Sequence, residues 1–364
     1  MMIRPVLCML MALCMAAPAL AQIENGPPRV GAPPWQTIQL EHRAHRYPFA
    51  VYASRSLTPG NLAHIRHVVI MVHGIRRDAD HYYETGAGVL WQDPDALQDT
   101  LVLAPRFVST VDRGFAGMPA WQRARWVDGE ESAKVAGRAG PIGSFDVLDD
   151  LLRRLADRRE MPDLQDIVLA GHSAGAQLIQ RYAVLNDIDE TLRARGVAMR
   201  YVVANPSSYL YFTTDRPRGD GGFGPYNRGN CPDFNDYRYG VDHPPHGVHV
   251  PDPARLATRY ARRQVTYLLG DADNNPEHRL LDKRCAAEAQ GATRLARGRG
   301  YLRYEAWLPT LKGSVHRAYE VVGVGHDQRG MYGSICGARA LLGREVSMPP
   351  GAATCTAPRL RPDG

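Results

Sequence analysis

Residues Val168 to Gln177 read VLAGHSAGAQ, and they restrict the fold more than any other part of the chain. The apolar run Ile167 to Ala170 has the length and residue types of a buried strand. Leu178, Ile179, Tyr182 and Leu185 then recur at helical spacing. Only Gly171-His172-Ser173-Ala174-Gly175 separates the two, so the chain must pass from strand to helix in one sharp turn. Such a turn strains the serine backbone, and side chains on the flanking residues would collide with the strand and the helix. Ser173 is thereby held clear of the sheet at a helix N-terminus, where the Ala174 N–H has no intrahelical partner and can meet a developing oxyanion. His172, beside it, reads as structural.

Three further strand ends carry chemistry-bearing residues. Val68 to Val72 is a continuous apolar run, as expected of a strand buried on both faces, and it ends in His73-Gly74-Ile75-Arg76. Val265 to Gly270 is followed by Asp271-Ala272-Asp273-Asn274-Asn275-Pro276. Ala318 to Val322 is followed by Gly323-Val324-Gly325-His326-Asp327.

With these motifs the stretch from Val68 to Leu342 resembles the α/β-hydrolase superfamily, which implies a mostly parallel central sheet flanked by helices. The resemblance implies that Ser173 is the nucleophile, His326 the base and Asp273 the acid, with Asp271 as the alternative acid. That chain order, Ser then Asp then His, is the superfamily's own. It also implies an oxyanion hole built from the Ala174 N–H and one near Gly74, that of Ile75 or Arg76. His73, Gly74, Arg76, Gln177 and Tyr209 are the candidate substrate contacts, and Arg76 and Arg77 could meet an anionic group. The chain is similar to secreted carboxylesterases and, more loosely, to extracellular polyester depolymerases. This implies hydrolysis of a small-molecule or polymeric ester through an acyl-enzyme without a cofactor. A peptidase or amidase on the same fold, and a non-catalytic binding protein that keeps the scaffold, are the alternatives.

The first 21 residues combine Arg4, an apolar run from Val6 to Ala17 and Ala19-Leu20-Ala21, the pattern of a cleavable signal peptide. The apolar run is too short to span a membrane, so export to the periplasm or the medium without stable membrane insertion is expected. Of six cysteines, four lie beyond that leader, and an even number in an oxidising compartment predicts two disulfides. Neighbourhood in the chain favours Cys231–Cys285 and Cys336–Cys355. The formal charge of +6 comes from arginine scattered along the whole chain, which indicates a solvated surface rather than a nucleic-acid interface. Nothing in the pattern points to an oligomeric state.

Residues 22–364 are expected to form one domain with an insertion at about 206–253. The insertion has no regular period and is rich in Gly, Pro, Asn and aromatics, which predicts an ordered cap over the site. Arg106 to Gly143, with Phe107, Phe115, Trp121 and Trp126, is aperiodic too, and its aromatics either line a cleft or pack beneath a loop. His243, His246 and His249 lie in a segment broken by Pro244, Pro245 and Gly247, which offers no rigid frame for a metal. Asp271, Asp273 and Asn275 resemble the start of a calcium loop, but Pro276 stands where that turn needs Gly. Ser144 is the expected cap of a helix over Asp146 to Arg159. Arg279 to Gln290 is expected to be helical, with an exposed arginine-rich continuation to Arg303.

Overall fold

A computed structural model of the chain describes residues 33–226, 229 and 231–360. The expected signal peptide and its cleavage after Ala21 lie outside the described residues.

Nine strands form one sheet: β1 (Gln36–His42), β2 (His45–Ala53), β3 (His67–Val72), β4 (Thr100–Pro105), β5 (Asp166–His172), β6 (Ala198–Ala204), β7 (Gln264–Gly270), β8 (Arg317–Val321) and β9 (Cys355–Thr356). Their order across the sheet is β1-β2-β4-β3-β5-β6-β7-β8-β9. The run from β4 to β8 is parallel, and antiparallel strands border it on both sides. Apolar runs become central strands here because both faces are covered, and alternate residues feed two cores. Val68, Ile70 and Val72 of β3 enter one core with Ile167 and Leu169 of β5. Val69 and Met71 enter the other with Val168 and Ala170.

The first core is closed by α2 (Ser144–Leu155), α3 (Ala174–Leu185), α4 (Pro253–Tyr260) and α5 (Arg294–Trp307), and the second by α1 (Ala79–Leu90), α6 (Gln328–Tyr332) and α7 (Ile335–Leu342). In α2 the buried stripe is Val147, Leu148, Leu151, Leu152 and Leu155, as the spacing predicts. Gly143, rather than Ser144, caps it. The Asp146 carboxylate accepts from the Gly143 N–H at 3.1 Å, while the Ser144 hydroxyl donates to the Trp126 carbonyl at 2.6 Å.

Two segments differ from expectation, and a third takes one of the two packings expected of it. The aromatics of 106–143 pack inward: Phe107, Trp121 and Trp126 are buried, and Phe107 stacks on Trp126 at 5.5 Å. In the insertion at 206–253 a short ribbon pairs Asp215–Pro217 with Phe223–Pro225, and among its described residues no aromatic lines a cavity that Ser173 borders. Tyr209 stacks on Tyr301 at 4.6 Å and Tyr211 packs against Tyr304 at 4.6 Å, so this part of the segment completes the core along α5. Finally, the stretch expected to be an exposed arginine-rich continuation is the buried helix α5, preceded by only one helical turn, Cys285–Glu288. Arg294, Arg297 and Arg299 are buried there because each finds an acceptor: Asp273 and Ser207, the Ser207 carbonyl, and Glu320.

Cys231–Cys285 and Cys336–Cys355 form the two expected disulfides. Among the described residues, no helix is long and apolar enough to cross a membrane.

Candidate active site

Parallel pairing aligns the carboxyl ends of the central strands, with Val72 of β3 opposite Gly171 of β5, and His172 opposite Ala204 of β6. Open α/β sheets bind ligands at this edge. Ser173 stands there between β5 and α3 with φ 58° and ψ −118°, a conformation that costs a non-glycine residue roughly 1–3 kcal/mol. The flanking glycines are required by contact. A Cβ on Gly171 would lie 2.4 Å from the Gly175 carbonyl, and one on Gly175 would lie 2.4 Å from the Val72 carbonyl oxygen.

His326 Nε2 lies 2.9 Å from Ser173 Oγ, and His326 Nδ1 lies 2.7 Å from Asp273 Oδ2. A carboxylate can only accept, so Nδ1 carries the proton and Nε2 keeps a lone pair for the serine hydroxyl. Burial pushes the His326 imidazole below its ordinary value. The hydrogen bond to Asp273 opposes that shift, and the nearby Arg294 cation adds to it. The net shift favours the neutral ring.

Asp271 faces elsewhere. Its carboxylate accepts from the Gly323 N–H at 2.7 Å and so ties the loop after β7 to the start of the histidine loop. Asn205, at the end of β6 with φ 47°, does similar work. Its side chain accepts from the Gly270 N–H at 2.8 Å and donates to the Gly325 carbonyl at 3.1 Å. Asp327 caps α6, accepting from the Gly330 N–H at 2.8 Å.

Two groups of this neighbourhood escape a reading of the sequence. Arg294, from the first turn of α5, donates to Asp273 Oδ1 at 3.3 Å and to Ser207 Oγ at 3.0 Å, and nothing distinguishes it from the chain's other arginines in sequence. Asn205 had a signal, since an Asn closing an apolar run before Pro206 suits a left-handed turn. His172 is buried, bonded to the Tyr82 hydroxyl at 3.2 Å, with its ring 4.6 Å from that of His326. Burial and the adjacent His326 and Arg294 hold it well below the ordinary imidazole range.

Ser173 lies between two cavities. The first, about 420 Å³, is lined on the α3 side by Ile75, Ala174 and Gln177. The second, about 360 Å³, is lined by Gly74, Arg76, His172 and His326. The expected contacts thus divide. Ile75, Gly74, Arg76 and Gln177 border Ser173's cavities. His73 does not: its Nδ1 bonds the Gly74 carbonyl at 2.9 Å, its Nε2 accepts from the Phe107 N–H at 3.0 Å, and Trp126 covers the ring. Burial lowers its pKa to about 4, so it is a neutral brace for the turn. Tyr209 is buried against Tyr301 and borders neither cavity. Arg77 is bound bidentately to Asp112, at 2.8 and 2.9 Å, so it offers nothing to a ligand. His243 pairs with Asp236 at 2.7 Å and His246 with Glu131 at 3.2 Å, both at the surface.

No protein-family model matches the chain, and no curated protein matches it in sequence. Solved structures do match. One is LpqC, a poly(3-hydroxybutyrate) depolymerase from Bordetella parapertussis, at 22% identity and a TM-score of 0.58, over 86% of this chain and 92% of that one. Another is poly(aspartic acid) hydrolase-1 from Sphingomonas sp. KT-1, at 20% identity and a TM-score of 0.54, over 82% of this chain and 96% of that one. At such identities the likeness is one of fold, and with the strand order and the strained turn at Ser173 it shows that the chain has the α/β-hydrolase fold.

Proposed function

We propose that the chain is an exported serine hydrolase that cleaves carboxylic esters. The observation that carries this reading is the hydrogen-bonded line from Ser173 Oγ through His326 to Asp273, on a backbone turn strained to present the hydroxyl. Ser173 Oγ attacks the ester carbonyl carbon while its proton passes to His326 Nε2. Asp273 holds the ring in the required tautomer and stabilises the imidazolium. The Ala174 N–H, at the first position of α3 where no intrahelical acceptor exists, and one near Ile75 receive the oxyanion, each such donor contributing about 2.7–4 kcal/mol. When the carbon–oxygen bond to the alcohol breaks, His326 returns its proton to that oxygen and leaves an acyl-serine. Water, deprotonated by the same histidine, then releases the acid and restores the serine. The residues present complete this cycle without a cofactor.

Export is supported by the leader pattern of residues 1–21 and by the two disulfides. A polymeric ester as substrate draws support from the fold likeness to a poly(3-hydroxybutyrate) depolymerase. The test is labelling of the mature protein with a fluorophosphonate, followed by peptide mapping. A single adduct on Ser173, lost in His326→Ala, is expected, with ester turnover falling on the order of a thousandfold to a millionfold in Ser173→Ala. Folded protein that takes no label and cleaves no ester overturns the reading.

A further inference from the structure

The two cavities beside Ser173 differ in charge. The wall of the first carries Arg238, Arg279, Lys283 and Arg284 against one carboxylate, Asp282. Arg238 is committed to Asp128 at 2.8 Å and to Asp282 at 3.4 Å, and Lys283 pairs with Glu277 at the surface. Arg284 approaches Asp282 only at 3.9 Å and otherwise donates to the Tyr239 hydroxyl. Arg279 is exposed and has no ionic partner among the described residues. The same cavity is also lined by the apolar Ile75, Ala124, Val127 and Leu281. The second cavity, which Arg279 also borders, carries Arg76 together with two carboxylates, Asp78 and Asp327.

The proposed chemistry assigns a half of the substrate to each cavity. His326 must protonate the departing oxygen, so the alcohol lies in the second cavity, which His326 borders. The acyl half then lies in the first, which Ser173 and Ala174 border and His326 does not. Resting on that hydrolase reading, we infer that the substrate is an ester whose acyl half is a short apolar chain ending in a carboxylate, held by Arg279 and Arg284. Two guanidinium groups without full ion pairs, in a cavity that Ile75, Ala124, Val127 and Leu281 also line, suit a carboxylate on an apolar chain, which they can bind through paired N–H donors.

The experiment compares, on the mature protein, the mono-para-nitrophenyl ester of adipic acid with para-nitrophenyl hexanoate, which has the same chain length and leaving group. The adipate is expected to be preferred in kcat/KM by about tenfold at low ionic strength, with the gap narrowing as salt screens the cleft. Arg279→Gln should shrink the adipate-to-hexanoate ratio, and Arg279→Gln/Arg284→Gln should bring it near unity. A carboxylate on the alcohol side, tested as para-acetoxybenzoate against phenyl acetate, should bring no comparable gain. Hexanoate cleaved as well as adipate overturns the inference and leaves the hydrolase reading intact, as does a preference confined to para-acetoxybenzoate or a ratio that survives Arg279→Gln. Failure to cleave any of these esters, together with no fluorophosphonate adduct on Ser173, overturns both.

Discussion

Asp271 and Asp273 lie two residues apart in one loop, and their surroundings separate them. Asp273 meets His326 Nδ1, whereas Asp271 meets a backbone N–H of Gly323. Asp273→Asn should therefore lower kcat on the order of ten-thousandfold, by presenting the wrong hydrogen-bonding partner to the ring. Asp271→Asn keeps an acceptor for Gly323 and should cost on the order of 1 kcal/mol of stability at most, with kcat within a few-fold of the parent. Steady-state kinetics on both variants separates the roles, and the reverse pattern would make Asp271 the acid. Arg294 offers a second measurement at this scale. The base works only when His326 is neutral, so kcat/KM rises with pH through the imidazole pKa. Burial lowers that pKa, and the Arg294 cation lowers it further. Removing the cation in Arg294→Gln should raise the pKa and move the acid limb of the kcat/KM profile to higher pH. An arginine that merely filled space would leave the limb where it is. The sequence showed both aspartates at the right strand end but not which one faced the histidine, because that depends on how the loop after β7 is tied to the loop after β8.

Among the elements, the central strands were readable because each is an apolar run buried on both faces, and α2 because its leucines keep helical spacing. Helix α5 was not. Its arginines at 294, 297 and 299 look like a solvated face in sequence, and they are buried only because acceptors arrive from distant segments: Ser207, Asp273 and Glu320. Tyr209 and Tyr211 of the insertion are hard to place in sequence for the related reason that they pack on α5, whose burial the local pattern does not reveal. The pair between Arg299 and Glu320, 2.8 Å apart and largely buried, tests this account. Arg299→Leu leaves the Glu320 carboxylate without its ionic partner on α5, keeping only the Arg359 N–H at 2.8 Å, and should cost about 3 kcal/mol, read as a lower urea midpoint. Arg299→Leu/Glu320→Leu removes both charges and should recover much of that loss. A single variant as stable as the parent would mean that the pair does not hold α5 to β8.

At the level of the whole molecule, the two disulfides bear on different parts of the fold. Cys336–Cys355 joins α7 to the edge strand β9 and closes a separation of 19 residues. Cys231–Cys285 closes one of 54 residues and ties the insertion to the end of the loop that carries Arg279 and Arg284. By loop-closure entropy the shorter link stabilises by about 3 kcal/mol and the longer by about 4 kcal/mol. Both should therefore lower the Tm when removed, and a Tm indifferent to reduction would mean that neither restrains the unfolded chain. Their effects on turnover should diverge. Cys336→Ser/Cys355→Ser loosens an edge that borders neither cavity beside Ser173, so kcat/KM at a temperature well below the Tm should stay close to the parent's. Cys231→Ser/Cys285→Ser releases the wall of the first cavity while leaving Ser173, His326 and Asp273 on their own strand ends. Fluorophosphonate labelling of Ser173 should persist in that variant while KM for an ester rises. If labelling and KM fell and rose alike in both double variants, the wall would not be a separate unit, and the cavity beside Ser173 would depend on the stability of the whole sheet.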